Sequence, residues 1–73
     1  MAEEIDDLKK LLALASDLGY PVEIRANAIK SMGRISSHEA LLALLSLAAN
    51  TQLNKKEREL ALKYAGSIIK SGY

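Results

Sequence analysis

A spacing of 33 residues constrains this chain more than any single motif: residues 8–35 recur, loosely, as residues 41–68. Identical pairs include Leu8/Leu41, Leu11/Leu44, Leu12/Leu45, Leu14/Leu47 and Ala15/Ala48. They continue through Arg25/Arg58, Ala28/Ala61, Lys30/Lys63, Gly33/Gly66 and Ile35/Ile68. Leucine matches carry little weight in a chain rich in Leu and Ala. Matched arginines, lysines and glycines at one offset carry much more. A repeat of this period marks stacked supersecondary units, which act through surface shape and charge rather than through an enzyme pocket.

Size narrows the options. The 73 residues make a single domain, 1–73, with repeat units at about 5–37 and 38–70. A chain this short buries only roughly 60% of the surface that its unfolded form exposes. With no cysteine, neither a disulfide nor a thiolate metal site supplements the core. Phe and Trp are absent and only three Tyr occur, so the core is expected from Leu, Ile, Ala and Met. The longest apolar run, 40–49 with Ser46 inside it, is too short to cross a bilayer. The first residues are acidic where a secretory signal would be basic and then apolar, so a soluble cytoplasmic protein is expected. The net charge of +1 conceals −4 over residues 1–23 and +5 over residues 24–73. Helix macrodipoles account for much of this, because acids favour first turns and bases later ones.

Periodicity predicts four helices. The first covers about 3–18, with Ile5, Leu8, Leu11, Leu12 and Ala15 on one face. Gly19 then offers a left-handed stop, and Pro21 a first helical position. The second covers about 21–35, with Ile24 or Val22, Ala28, Ile29, Met32 and Ile35 inward. Ser36 and Glu39 have capping-box spacing at the start of the third helix, and Asn50 can end it in a left-handed turn. Asn54 and Glu57 repeat that spacing before the fourth, which carries Leu60, Ala61, Tyr64, Ile68 and Ile69 to a stop near Gly72. Short connections favour antiparallel neighbours, hence two helical hairpins. These either stack side by side or close into a compact four-helix domain, and the repeat favours stacking.

Both even-numbered helices fit Arg-x-x-Ala-x-x-x-x-Gly-x-Ile, beginning at Arg25 and at Arg58. This pattern resembles the second helix of HEAT-like (armadillo-like) repeats, including the short type found in phycobilin lyases. The Leu-rich helices before them resemble the first helix of such units, and the likeness covers about residues 5–70. Departures are Glu57 in place of the usual aliphatic residue, Tyr64 in place of a small one, and only two units. The resemblance implies an all-α fold, two hairpins stacked as a short right-handed superhelix. It also implies structural roles for Arg25 and Arg58, which in that family commonly pair with an acid in a neighbouring unit. The expected partners are the turns carrying Asp17 or Asn50. Independently of any family, glycine inside a helix costs roughly 1 kcal/mol relative to alanine. Its presence at both 33 and 66 predicts two sites of close backbone approach, with Ala28 and Ala61 lining the same contacts.

Candidate chemistry is sparse. His38 is the single histidine and lacks a second ligand at helical spacing, so it reads as a surface residue of a first turn. Glu3, Glu4, Asp6 and Asp7 read as the acidic first turn of a helix. No nucleophile elbow, phosphate-binding glycine loop or dinucleotide fingerprint occurs, so neither catalysis nor a cofactor is expected. Two surfaces stand out for partners. Lys30, Arg34, Lys63 and Lys70 form a basic strip on the second and fourth helices, suited to an acidic protein or, alternatively, a nucleic acid. The third helix is apolar almost all round, which predicts burial on more than one face and leaves Leu42 and Leu47 as partner contacts. The reading is therefore a non-catalytic scaffold or adaptor that binds another protein or a second copy of itself.

Overall fold

Four helices make up the computed structural model, which describes residues 2–72, with side chains from residue 7 onward. They are α1 (Ala2–Ser16), α2 (Val22–Ile35), α3 (His38–Ala48) and α4 (Lys55–Lys70). The fold is all-α, as the periodicity predicts, and each boundary falls within two residues of expectation. Ile5, Glu3, Glu4 and Asp6 lie outside the described side chains.

Local chemistry sets the helix ends, and several ends differ from the sequence reading. Ser37 rather than Ser36 caps α3, its hydroxyl accepting from the Ala40 amide at 3.0 Å. Ser36 instead ends α2 in the left-handed region, φ 52°, and donates its hydroxyl to the Gly33 carbonyl. One adjacent serine thus closes a helix while the next opens another. Gly19 and Asn50 are not left-handed, since among the described residues only Ser36 and Gly72 have positive φ. Their turns are closed by Asx geometry: Asp17 accepts from the Gly19 amide, and Asn50 from the Gln52 amide. Asn54 caps α4 as expected, accepting from the Glu57 amide at 2.8 Å.

α1 packs on α2 and α3 on α4, forming the two hairpins, and α2 against α4 joins them. α1 also touches α3, and α2 touches α3, whereas α1 and α4 do not meet among the described residues. The hairpins therefore lie side by side. The Cα extents of 31 × 24 × 16 Å fit two layers, α1 with α3 and α2 with α4. Helix axes roughly 10 Å apart, plus a Cα radius of about 2.3 Å on each side, give that thickness.

The core is aliphatic throughout. Ile29, Met32, Leu44, Leu47 and Ile68 are the largest wholly buried apolar side chains, each contributing roughly 1.5–3 kcal/mol. Leu8, Ala15, Ala28, Leu41, Ala61 and Ala65 complete the interior, with Leu53 sealing the α3–α4 connection. Val22 and Ile24, expected inside, are exposed. The inward face of α2 starts instead at Arg25, which is buried.

Two contacts define the α2–α4 seam. Arg25 and Glu57 form a buried pair: Nη2 donates to Oε1 at 3.0 Å, and Nε lies 2.9 Å from Oε2. The second contact is ionic and poorly aligned, and neither Nε nor Oε2 has a hydrogen-bond partner. Removing one partner of such a pair strands a desolvated charge, at about 3–5 kcal/mol. Further along the seam, a Cβ placed on Gly33 would stand 2.6 Å from Tyr64 Cδ1, 2.8 Å from Cγ and 3.0 Å from Cβ. These are the root of the ring rather than its free end, so α4 itself must move to make room. Gly66 has no such neighbour: a Cβ there meets nothing within 4 Å. The expected close approach exists at the first glycine only.

Two predictions follow from this seam, both read by thermal or denaturant unfolding. Gly33→Ala should lower stability, whereas Gly66→Ala should raise it by roughly 1 kcal/mol through helix propensity alone, about 4–8 °C in melting temperature. Equal shifts would remove the distinction between the glycines. Glu57→Leu should cost about 3–5 kcal/mol, and the double variant Arg25→Met/Glu57→Leu should recover most of it. A double variant less stable than either single one would show that the pair is needed for its own sake.

Candidate functional surface

The two repeat arginines show what each hairpin offers a neighbour. Arg25 reaches across the seam to Glu57, a residue of the other unit. The acid is therefore neither Asp17, which closes its own turn, nor a residue near Asn50. Arg58, the equivalent of Arg25, has no carboxylate in ion-pair range among the described residues. Its Nε donates instead to the Ala48 carbonyl at 3.2 Å, at the end of α3 and two residues before Asn50. The last carbonyls of a helix lack partners within it and carry partial negative charge. Arg58 thus steadies its own hairpin, while Arg25 couples two.

α3 is amphipathic in place, although its sequence is apolar nearly all round. Ala40, Leu41, Ala43, Leu44 and Leu47 are buried, and Leu42 and Leu45 face outward. Leu47, expected as a partner contact, is only 1% exposed and belongs to the core. Leu42 is 53% exposed and does lie at the surface. α4, α2 and α1 all pack against α3, so more of its surface is covered than the sequence shows. Leu42 and Ala43 of α3, together with Leu8 and Leu12 of α1, line an open groove of about 340 Å³. Lys9, Glu39 and Ser46 form its polar margin.

All four members of the basic strip are exposed. Lys30 and Arg34 are four residues apart on α2, and Lys63 and Lys70 seven apart on α4, so each pair shares one face of its helix. The Lys63 ammonium sits 6.0 Å from the centre of the Tyr64 ring, at the outer limit of a cation–π contact. His38 is the exposed first residue of α3. Among the described residues no group of three or more His, Asp or Glu could hold a metal ion. Among the described residues no helix is long and apolar enough to cross a membrane.

Beyond α3, the exposed large aliphatic residues include Leu62 (57%) and Ile69 (52%) on α4. With Gly66 they follow i, i+4, i+7 spacing, one continuous face. Glu57 is the residue that sequence reasoning passed over. It replaces an aliphatic residue at a repeat position next to Arg58, and an acid where the pattern demands burial signals a buried cation nearby.

Compared with protein-family models, curated proteins and solved structures, the chain matches none.

Burial separates the two α3 leucines energetically. Leu47→Ala should cost about 2–5 kcal/mol by opening a core cavity, and Leu42→Ala less than about 1 kcal/mol. Denaturant unfolding of the two variants measures the difference, and similar losses would contradict the assigned burial.

Proposed function

We propose that this protein is a non-catalytic protein–protein interaction module of HEAT-like repeat type, a small scaffold that binds through helical faces. One observation carries the reading: Leu42 and Leu45 on α3, and Leu62 and Ile69 on α4, are large aliphatic side chains left in water. Leu42 and Leu45 are three residues apart on α3 and Leu62 and Ile69 seven apart on α4, so each pair lies along one side of its helix. Contiguous exposed apolar surface marks interaction sites in folded proteins. The 33-residue repeat and the Arg-x-x-Ala-x-x-x-x-Gly-x-Ile pattern support the HEAT-like type. The lack of cysteine supports a reducing, cytoplasmic setting. The partner is another protein or a second copy of the chain.

Sedimentation equilibrium over rising concentration, together with affinity capture, tests this reading. The wild-type chain should either gain mass or retain a partner. Leu42→Glu/Leu45→Glu and Leu62→Glu/Ile69→Glu, each checked for folding by circular dichroism, should separate the two faces, at least one of them losing the association. A chain that stays monomeric and recovers no partner contradicts the proposal. Binding to a nucleic acid through Lys30, Arg34, Lys63 and Lys70, weakening steeply with salt, would transfer the reading to that class.

A further inference from the structure

The chain contains a worked example of how one of its own faces is covered. On α2, Arg25, Ile29 and Gly33 receive α4: Arg25 takes the Glu57 carboxylate, Gly33 takes the Tyr64 ring, and Ile29 is wholly buried. Moving 33 residues on, the same positions of α4 are Arg58, Leu62 and Gly66. Arg58 has no acid in range among the described residues, Leu62 is more than half exposed, and the space over Gly66 is open. Residues 32 and 65, by contrast, are buried in both units, as Met32 and Ala65. The two helices therefore agree on the side facing their own hairpin and differ on the sides facing along the stack, where Ile24 is likewise exposed while its counterpart Glu57 is buried.

We propose that the Arg58–Leu62–Gly66–Ile69 face of α4 is the docking surface for a helix of a partner protein. That helix carries a carboxylate and, seven residues later, a large aromatic side chain. The chemistry is read from the covering helix within the chain, where Glu57 and Tyr64 have that spacing. Seven residues are two helical turns, so both groups project from one side. The carboxylate takes the Arg58 guanidinium and the ring lies over Gly66, with its flank against Leu62. A second copy stacked head to tail is the poorer occupant. The residues it would present at the positions of Glu57 and Tyr64 are Ile24 and Ser31, which leave Arg58 without an acid and the Gly66 notch unfilled. The proposal rests on the interaction-module reading and names the face and the partner chemistry.

The experiment gives α4 such a helix in a fixed position. The chain is continued after Ile68 by a second copy of its own residues 36–70, which keeps the 33-residue period, brings the Ser36–Ser37 turn and cap with it, and presents another Glu57 and Tyr64. In the natural chain Gly66→Ala raises the melting temperature. In the extended chain the same substitution should lower it, because the new Cβ meets the added tyrosine. Glu57→Leu in the added copy should destabilise the extended chain, and Arg58→Met should offset that loss. A third hairpin that stays unfolded by circular dichroism overturns the proposal. So does a Gly66→Ala substitution that stabilises both chains. Either result leaves the interaction-module reading standing on the Leu42 and Leu45 face, whose own test is separate. Self-association of the natural chain that Gly66→Ala abolishes would make a second copy the occupant and overturn the acidic-partner chemistry.

Discussion

The seam between α2 and α4 determines how the two hairpins sit on each other. Apolar burial at Ile29, Met32, Leu44 and Ile68 supplies most of the stabilisation but little positional information, since aliphatic surfaces slide. The Arg25–Glu57 pair adds that information. A buried ion pair roughly breaks even against well-packed apolar residues, so its value lies in register more than in net energy. Shifting α4 by one turn, about 5.4 Å, would part the charges and leave both without water. The same shift would lift the Tyr64 ring out of the gap above Gly33. Charge and shape therefore select one alignment.

The two units are alike in sequence but unequal in circumstance. The first has a neighbour on its onward side, and the second has open space there. This difference reaches down to single atoms. Arg25 Nε faces a carboxylate, and Arg58 Nε turns back to the carbonyl of Ala48. Identical side chains on equivalent helices adopt different partners because only one of them is offered an acid.

Much of this was legible in the sequence, for physical reasons that can be named. Helical spacing of Leu8, Leu11, Leu12 and Ala15, and of Ala28, Ile29 and Met32, identified the inward faces, because burial and periodicity report the same geometry. The glycine at 33 announced a close contact, since its helical cost needs an offset. What escaped were features decided between units. Leu47 looked available because nothing in a one-dimensional pattern shows which flanks of α3 the other helices cover. Glu57 looked like a departure from the repeat because its partner, Arg25, is 32 residues away. Capping-box spacing to Glu39 pointed to Ser36, and only the chain path between α2 and α3 gave the cap to Ser37. Gly66 matched Gly33 letter for letter, yet the approach it permits requires a neighbour that α4 lacks.

The position of Tyr64 has an optical consequence. The chain has no tryptophan, and of its three tyrosines Tyr20 is exposed while Tyr64 is half-buried against α2. Near-ultraviolet dichroism arises from aromatic rings held in asymmetric surroundings, and Tyr64 is held where the hairpins meet. Its signal is thus a spectroscopic gauge of that junction. The far-ultraviolet bands follow the helices themselves, so the two wavelengths distinguish hairpins drifting apart from helices melting.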